Sequence, residues 1–129
     1  NDVLEDDAII ITDCGTVTAW GARYIRIRDR REFSSSGLLA TMGNGVPFAV
    51  GAAIAHPGRQ VVVLAGDGGR SMLMGELATL VKYKLPVKVI VLRNRSTLYY
   101  WRFRISLCRS PVLAAMTIIF CSHTGEAAR

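Results

Sequence analysis

Three segments of the chain are apolar and rich in β-branched residues. Ala8-Ile9-Ile10-Ile11-Thr12-Asp13 ends in Asp-Cys-Gly and predicts a buried strand followed by a turn. Val61-Val62-Val63-Leu64-Ala65 and Val87 to Leu92 predict two more strands. Helical spacing lies between them. Thr16 to Tyr24 reads as a short helix opened by Gly15. Val46 to Ala55 is a helix of small residues with Pro47 in its first turn, where a missing N–H costs nothing, and Pro57-Gly58 ends it. Ser71 to Tyr83 is predicted as one helix, with Leu73, Leu77, Leu80 and Val81 on one face, and Leu85-Pro86 breaks it. Arg26 to Ser36 turns from charged to polar and predicts a loop carrying an edge strand. Apolar strands joined by helices predict an α/β fold, a parallel sheet flanked by helices. Farther on, Tyr99 to Leu107 alternates apolar with basic or polar residues and reads as a half-buried strand, whereas Val112 to Cys121 fits a helix or a strand.

Composition narrows the class. At 129 residues, 50% hydrophobic and 20% charged, the chain has room for one domain with a real core, and it is neither disordered nor collagen-like. Val112 to Cys121 is too short for a bilayer core, which takes about 20 residues, so no transmembrane segment is expected. No secretory leader is visible, and three cysteines (Cys14, Cys108, Cys121) without metal spacing read as reduced thiols, so the expected location is cytoplasmic. The first residue is Asn1 and not methionine, as expected of a piece of a longer protein. The net charge of +6 is uneven: residues 1–33 carry seven acids and five bases, residues 34–94 two acids and six bases, and residues 95–129 one acid and five arginines. The excess in the middle suits an anionic ligand. No basic stripe interleaved with stacking aromatics precedes residue 95, so nucleic acid is not an expected partner.

Ligands of open parallel sheets bind at the carboxyl ends of the strands. Asp67 follows the strand ending at Ala65, and Asn94 follows the strand ending at Leu92. A right-handed crossover brings both to one edge, about 4.8 Å apart if their strands are neighbours. There a carboxylate and an amide oxygen could share one hard cation such as Mg²⁺, which completes its octahedron with phosphate and water. Gly66, Gly68 and Gly69 allow close backbone approach and offer N–H groups to an anion. The plainer reading is a tight turn with Asp67 capping the next helix. Neither a dinucleotide fingerprint nor a phosphate loop with Gly-Lys-Ser/Thr is present.

Gly66-Asp67-Gly68, twenty-five residues and then Asn94 is similar to the motif of thiamine-diphosphate-dependent enzymes. Thr12-Asp13-Cys14-Gly15-Thr16 to Trp20, Ala40-Thr41-Met42-Gly43-Asn44-Gly45-Val46-Pro47, and Gly69 followed by Ser71 to Leu77 resemble the cofactor domain of the pyruvate oxidase, quinone-linked pyruvate dehydrogenase and acetolactate synthase group. The resemblance covers Ala8 to Asn94, and it implies the thiamine-diphosphate-binding fold, here incomplete. It implies thiamine diphosphate and Mg²⁺ as cofactors, with Asp67 and Asn94 as metal ligands. Gly66, Gly68 and Gly69 would line the diphosphate, with Gly15 and Thr16 on its other side. Met42 would be the apolar wedge that keeps the cofactor bent, and the backbone at Ala40 would accept a hydrogen bond from the aminopyrimidine. The implied activity is decarboxylation of a 2-oxo acid, pyruvate first, by an oxidoreductase or a carboligase. The implied assembly is a homodimer or homotetramer, with FAD in some relatives on a domain this chain lacks. The activating glutamate of the family lies on a separate domain, and Glu32 and Glu76 are no substitute for it, so this chain alone is expected to be inactive.

The sequence also departs from that pattern. Arg95 stands where the family has a second asparagine, the usual ligand, and sets a permanent cation beside the metal. Arg70 replaces an apolar residue and is expected on the surface. Beyond Leu98 the resemblance stops, which divides the chain into a cofactor domain at 1–94 and a tail at 95–129 that reads as frame-shifted or otherwise non-native. Two further readings stay open: a phosphate-ligand binding module without catalysis, and a truncated product without function.

Overall fold

The computed structural model describes residues 1–93 and, as backbone, 117–122. Five strands form one parallel sheet: β1 (Ile9–Thr12), β2 (Glu32–Ser35), β3 (Val61–Gly66), β4 (Val87–Arg93) and β5 (Thr117–Ser122), in the order β2-β1-β3-β4-β5. The helices are α1 (Thr16–Tyr24), α2 (Gly45–Ala55), α3 (Asp67–Met72) and α4 (Glu76–Lys82). The expected α/β parallel sheet flanked by helices is the fold observed. β1 lies in register between β2 and β3, with Ile9 opposite both Glu32 and Val61, and β3 is registered on β4 from Val61↔Val87 to Gly66↔Leu92.

β-Branched side chains fit the pleat and alternate across it, so each strand offers an apolar row to either face. One row holds Ile9 and Ile11, Val61, Val63 and Ala65, and Val87, Val89 and Val91. It packs on Val46, Ala49 and Ala53 of α2 and on Leu80 of α4, which is the main core. On the opposite face α1 buries Val17 and Gly21, and a Cβ at Gly21 would lie 2.7 Å from Thr12 Cγ2 and 3.3 Å from the Phe33 ring. Glycine is therefore what lets α1 lie close to β1 and β2.

Thr12 is fully buried at this contact, and its hydroxyl oxygen has no hydrogen-bond partner among the described residues. A buried hydroxyl without a partner keeps its desolvation cost. Thr12→Val, which keeps the branched shape, is expected to raise stability by about 1 kcal/mol, read as a higher urea midpoint at unchanged slope.

Two predicted elements differ from what is observed. The helix expected over Ser71 to Tyr83 is two helices, α3 and α4, with Leu73, Met74 and Gly75 between them. The turn expected at Gly66 to Gly69 is helical from Asp67 onward. Gly68 and Gly69 are buried in the first turn of α3, and that helix ends at Leu73, whose φ −124°, ψ 42° is not helical. The chain steps through Leu73–Gly75, where the amides of Glu76, Leu77 and Ala78 bond to carbonyls three residues back. The edge strand expected within 26–36 is β2, and part of 112–121 is β5. The strand expected at Tyr99 to Leu107 lies outside the described residues. Among the described residues no helix is long and apolar enough to cross a membrane.

Candidate functional site

In a sheet with all strands parallel, the carboxyl ends share one edge. Three segments leave that edge beside one another: the Asp13–Thr16 turn after β1, the Ser36–Asn44 loop after β2, and Gly66–Gly69 after β3. These carry nearly every residue expected at the site.

Gly15 is the N-cap of α1, at φ 121°, ψ −155°, which only glycine adopts readily. No side chain caps this nine-residue helix; Gly15 and Thr16 are exposed, and the Thr18 N–H donates to the Gly15 carbonyl at 3.0 Å. Helix ends of this kind favour anions. In the second segment Ala40 has φ 49° and Gly43 φ 86°. The Ala40 and Thr41 amides donate to the carbonyl and hydroxyl oxygens of Ser36, both at 3.1 Å, so the loop is wound on itself with Met42 at its rim, 46% exposed.

In the third segment, Gly66 closes β3 with open space around it. Asp67 opens α3, half-buried, and its Oδ1 accepts the Gly68 N–H at 3.0 Å. The Ser71 hydroxyl donates to the Gly68 carbonyl at 2.6 Å. Arg70, expected on the surface, is half-buried: burial lowers the pKa of its guanidinium, and the negative charge of Asp67 opposes that shift.

Asn94, the other expected metal ligand, and Arg95 lie outside the described residues. β4 does run beside β3 with Leu92 opposite Gly66, so Asp67 leaves the sheet next to the last described residues of β4. Among the described residues no group of three His, Cys, Asp or Glu side chains could hold a metal. One carboxylate at a glycine turn is nevertheless a fitting donor set for Mg²⁺, which is commonly held by one or two carboxylates together with phosphate.

One site residue has no role assigned from the sequence. Asp13 is 1% exposed at the end of β1. Its Oδ1 accepts the N–H groups of Cys14 (2.8 Å) and Gly43 (2.7 Å), and the Asn44 amide nitrogen lies 3.1 Å away, also donating to the Thr41 carbonyl at 2.7 Å. Its other oxygen abuts Gly69, where a Cβ would collide with it. The available signal is a charged residue closing an all-apolar strand, since a buried carboxylate needs several donors.

Burial raises the pKa of Asp13, and the backbone N–H groups of Cys14, Gly43 and Asn44 only partly offset this. A carboxyl with a raised pKa binds more protons folded than unfolded. Its charge therefore costs nothing below the unfolded value of about 3.9, and the cost grows as pH rises through the folded value. Compared with Asp13→Asn, the wild-type chain is expected to lose stability over that interval and to run parallel to the variant above it, as read by urea melts across pH.

Residues 13–100 match the model of the thiamine pyrophosphate enzymes' C-terminal TPP binding domain. The chain belongs to that family. It is similar to YdaP of Bacillus subtilis (strain 168), 47% identical over 91 residues, which are 70% of this chain and 16% of that protein. It is similar to the acetolactate synthase large subunit of Parasynechococcus marenigrum (strain WH8102), 48% identical over 91 residues, 70% of this chain and 15% of the relative. It is also similar to the pyruvate oxidase of Lactiplantibacillus plantarum, 44% identical over 94 residues, 73% of this chain and 16% of the relative. The chain thus matches about one sixth of the length of these relatives.

Proposed function

We propose that this domain grips the diphosphate of thiamine diphosphate, with Mg²⁺, for an enzyme that decarboxylates a 2-oxo acid, pyruvate first. The observation that carries the reading is the gathering of the Gly15–Thr16 helix end, the Met42 loop and the Asp67–Gly69 turn at one sheet edge. Gly15 and Thr16 would line one side of the diphosphate, and Gly68 and Gly69 the other. Asp67, with Asn94, would hold Mg²⁺, which would supply positive charge to the diphosphate. Met42 supports the bent cofactor, the backbone at Ala40 accepts from its aminopyrimidine, and the exposed Leu73 and Met74 help keep water from the rim. When bound, thiamine diphosphate supplies the carbon nucleophile and the electron sink that cleavage beside a keto group requires. The activating glutamate and the substrate pocket belong to another domain, and the working enzyme is a homodimer or homotetramer.

A second reading is a carboligase of the acetolactate synthase kind, since relatives of both kinds are similar to this chain. Both readings need the same grip. Calorimetric titration with thiamine diphosphate, with and without Mg²⁺, tests it. Mg²⁺ is expected to tighten binding about tenfold or more, equivalent to about 1.4 kcal/mol, and Asp67→Ala to abolish that gain. Binding indifferent to Asp67→Ala would remove the metal role from this residue.

A further inference from the structure

The Asp13 carboxylate touches all three segments of the site but reaches the edge with none of its own surface. The Cys14 N–H comes from the entry to α1, the Gly43 N–H and Asn44 amide from the Met42 loop, and Gly69 from the first turn of α3. Its main chain is held as firmly. Its N–H donates to the Leu64 carbonyl at 2.8 Å, and its carbonyl accepts the Thr18 hydroxyl at 2.5 Å. The segments also press on one another. A Cβ at Gly43 would lie 3.2 Å from Met72 Cβ and 3.3 Å from the Gly69 carbonyl oxygen, and one at Gly45 would lie 3.4 Å from Asp13 Cβ.

We propose that Asp13 is a positioning residue, a buried clasp that fixes the Met42 loop against the Gly68–Gly69 turn and so sets the distance between the support for the cofactor's rings and the cradle for its diphosphate. This rests on the thiamine diphosphate reading above. An apolar side chain would fill the space. It could not hold a loop amide and a loop side chain on one oxygen while pressing the other against the α3 backbone. Burying a carboxylate has a cost, and that cost is consistent with a role in the site, since functional groups are often kept against stability.

The clasp makes a specific prediction, because ring support and diphosphate cradle lie on different segments. Loosening their connection weakens a ligand that spans both far more than one that fills the cradle alone. The full chain, Asp13→Asn and Asn44→Ala are titrated with thiamine diphosphate and, separately, with inorganic pyrophosphate, each with Mg²⁺. Amide hydrogen exchange at Gly43 is followed in all three, with urea midpoints alongside. Asp13→Asn is expected to weaken thiamine diphosphate about tenfold, to leave pyrophosphate within about twofold, to speed exchange at Gly43, and to keep a midpoint no lower than wild type. Asn44→Ala is expected to act in the same direction with a smaller effect. If both ligands weaken together along with the midpoint, Asp13 only supports the fold and the proposal is overturned; it is equally overturned if neither ligand weakens. If the wild-type chain binds neither ligand, the thiamine diphosphate reading fails. Exchange at Gly43 then decides the clasp by itself: acceleration in Asp13→Asn upholds it, and unchanged protection overturns it.

Discussion

Gly69→Ala is expected to destabilise the domain by about 3 kcal/mol, lowering its thermal midpoint by roughly 10 °C. The new methyl group would collide with Asp13 Oδ2 and lie 2.8 Å from Asp13 Cγ. The carboxylate cannot swing aside cheaply, because Oδ1 is held by the N–H groups of Cys14 and Gly43 and by the Asn44 amide. Turning it away would break those bonds and leave a buried charge without donors, and shifting α3 instead would disturb its packing on β3. Gly66 is the internal control. It lies three residues earlier at φ −73°, and a methyl group added there would meet no atom within 4 Å. Gly66→Ala is expected to stay within about 0.5 kcal/mol of wild type. Equal losses in the two variants, measured by circular dichroism melts, would show that backbone freedom and not the Asp13 contact is what position 69 requires.

How much of this can be read from the residues in order depends on the range of each interaction. The strands at Ile9–Ile11, Val61–Ala65 and Val87–Leu92 are legible, because β-branched apolar runs state both their conformation and their burial. Asp67 and its glycines are legible for a similar reason, being neighbours in sequence. The helix over 71–83 is misread because Leu73 matches the spacing of Leu77 and Leu80, yet Leu73 lies between two helices and is 45% exposed at the site edge. Periodicity cannot separate an apolar residue that faces the core from one left exposed between two helices. The start of α3 is missed since Asp-Gly-Gly has low helix propensity, which burial of Gly68 and Gly69 against the sheet end overrides. The role of Asp13 is out of reach for a different reason. Its partners sit about 30 positions away at Gly43 and farther still at Gly69, and nothing local marks them as neighbours. Arg70 illustrates the reverse error: an arginine defaults to the surface, yet here its Nε and Nη1 are buried.

Leu80→Ala is expected to cost about 3 kcal/mol, a large share of the roughly 5–15 kcal/mol that holds a domain of this size. Leu80 is 1% exposed and is the one fully buried side chain of α4. It sits in the core with Val61, Val63, Val87 and Val89, whose backbones are paired in register across β3 and β4. Side chains fixed to a hydrogen-bonded sheet cannot move into the space a leucine leaves, so the cavity persists and its cost adds to the lost transfer energy. Tyr83→Ala, one turn on at 60% exposure, is the matched control and is expected to lose about 0.5 kcal/mol, mostly its contact with the Lys82 ammonium 5.5 Å away. Ligand separates the two large effects. Leu80 lies outside the candidate site, so thiamine diphosphate with Mg²⁺ at a hundredfold excess over Kd should return about 2.7 kcal/mol to Leu80→Ala and bring its midpoint close to that of the unliganded wild type. Gly69→Ala damages the cradle along with the fold, so the same concentration should restore far less. Equal rescue of both variants would mean that Gly69 does not line the bound diphosphate.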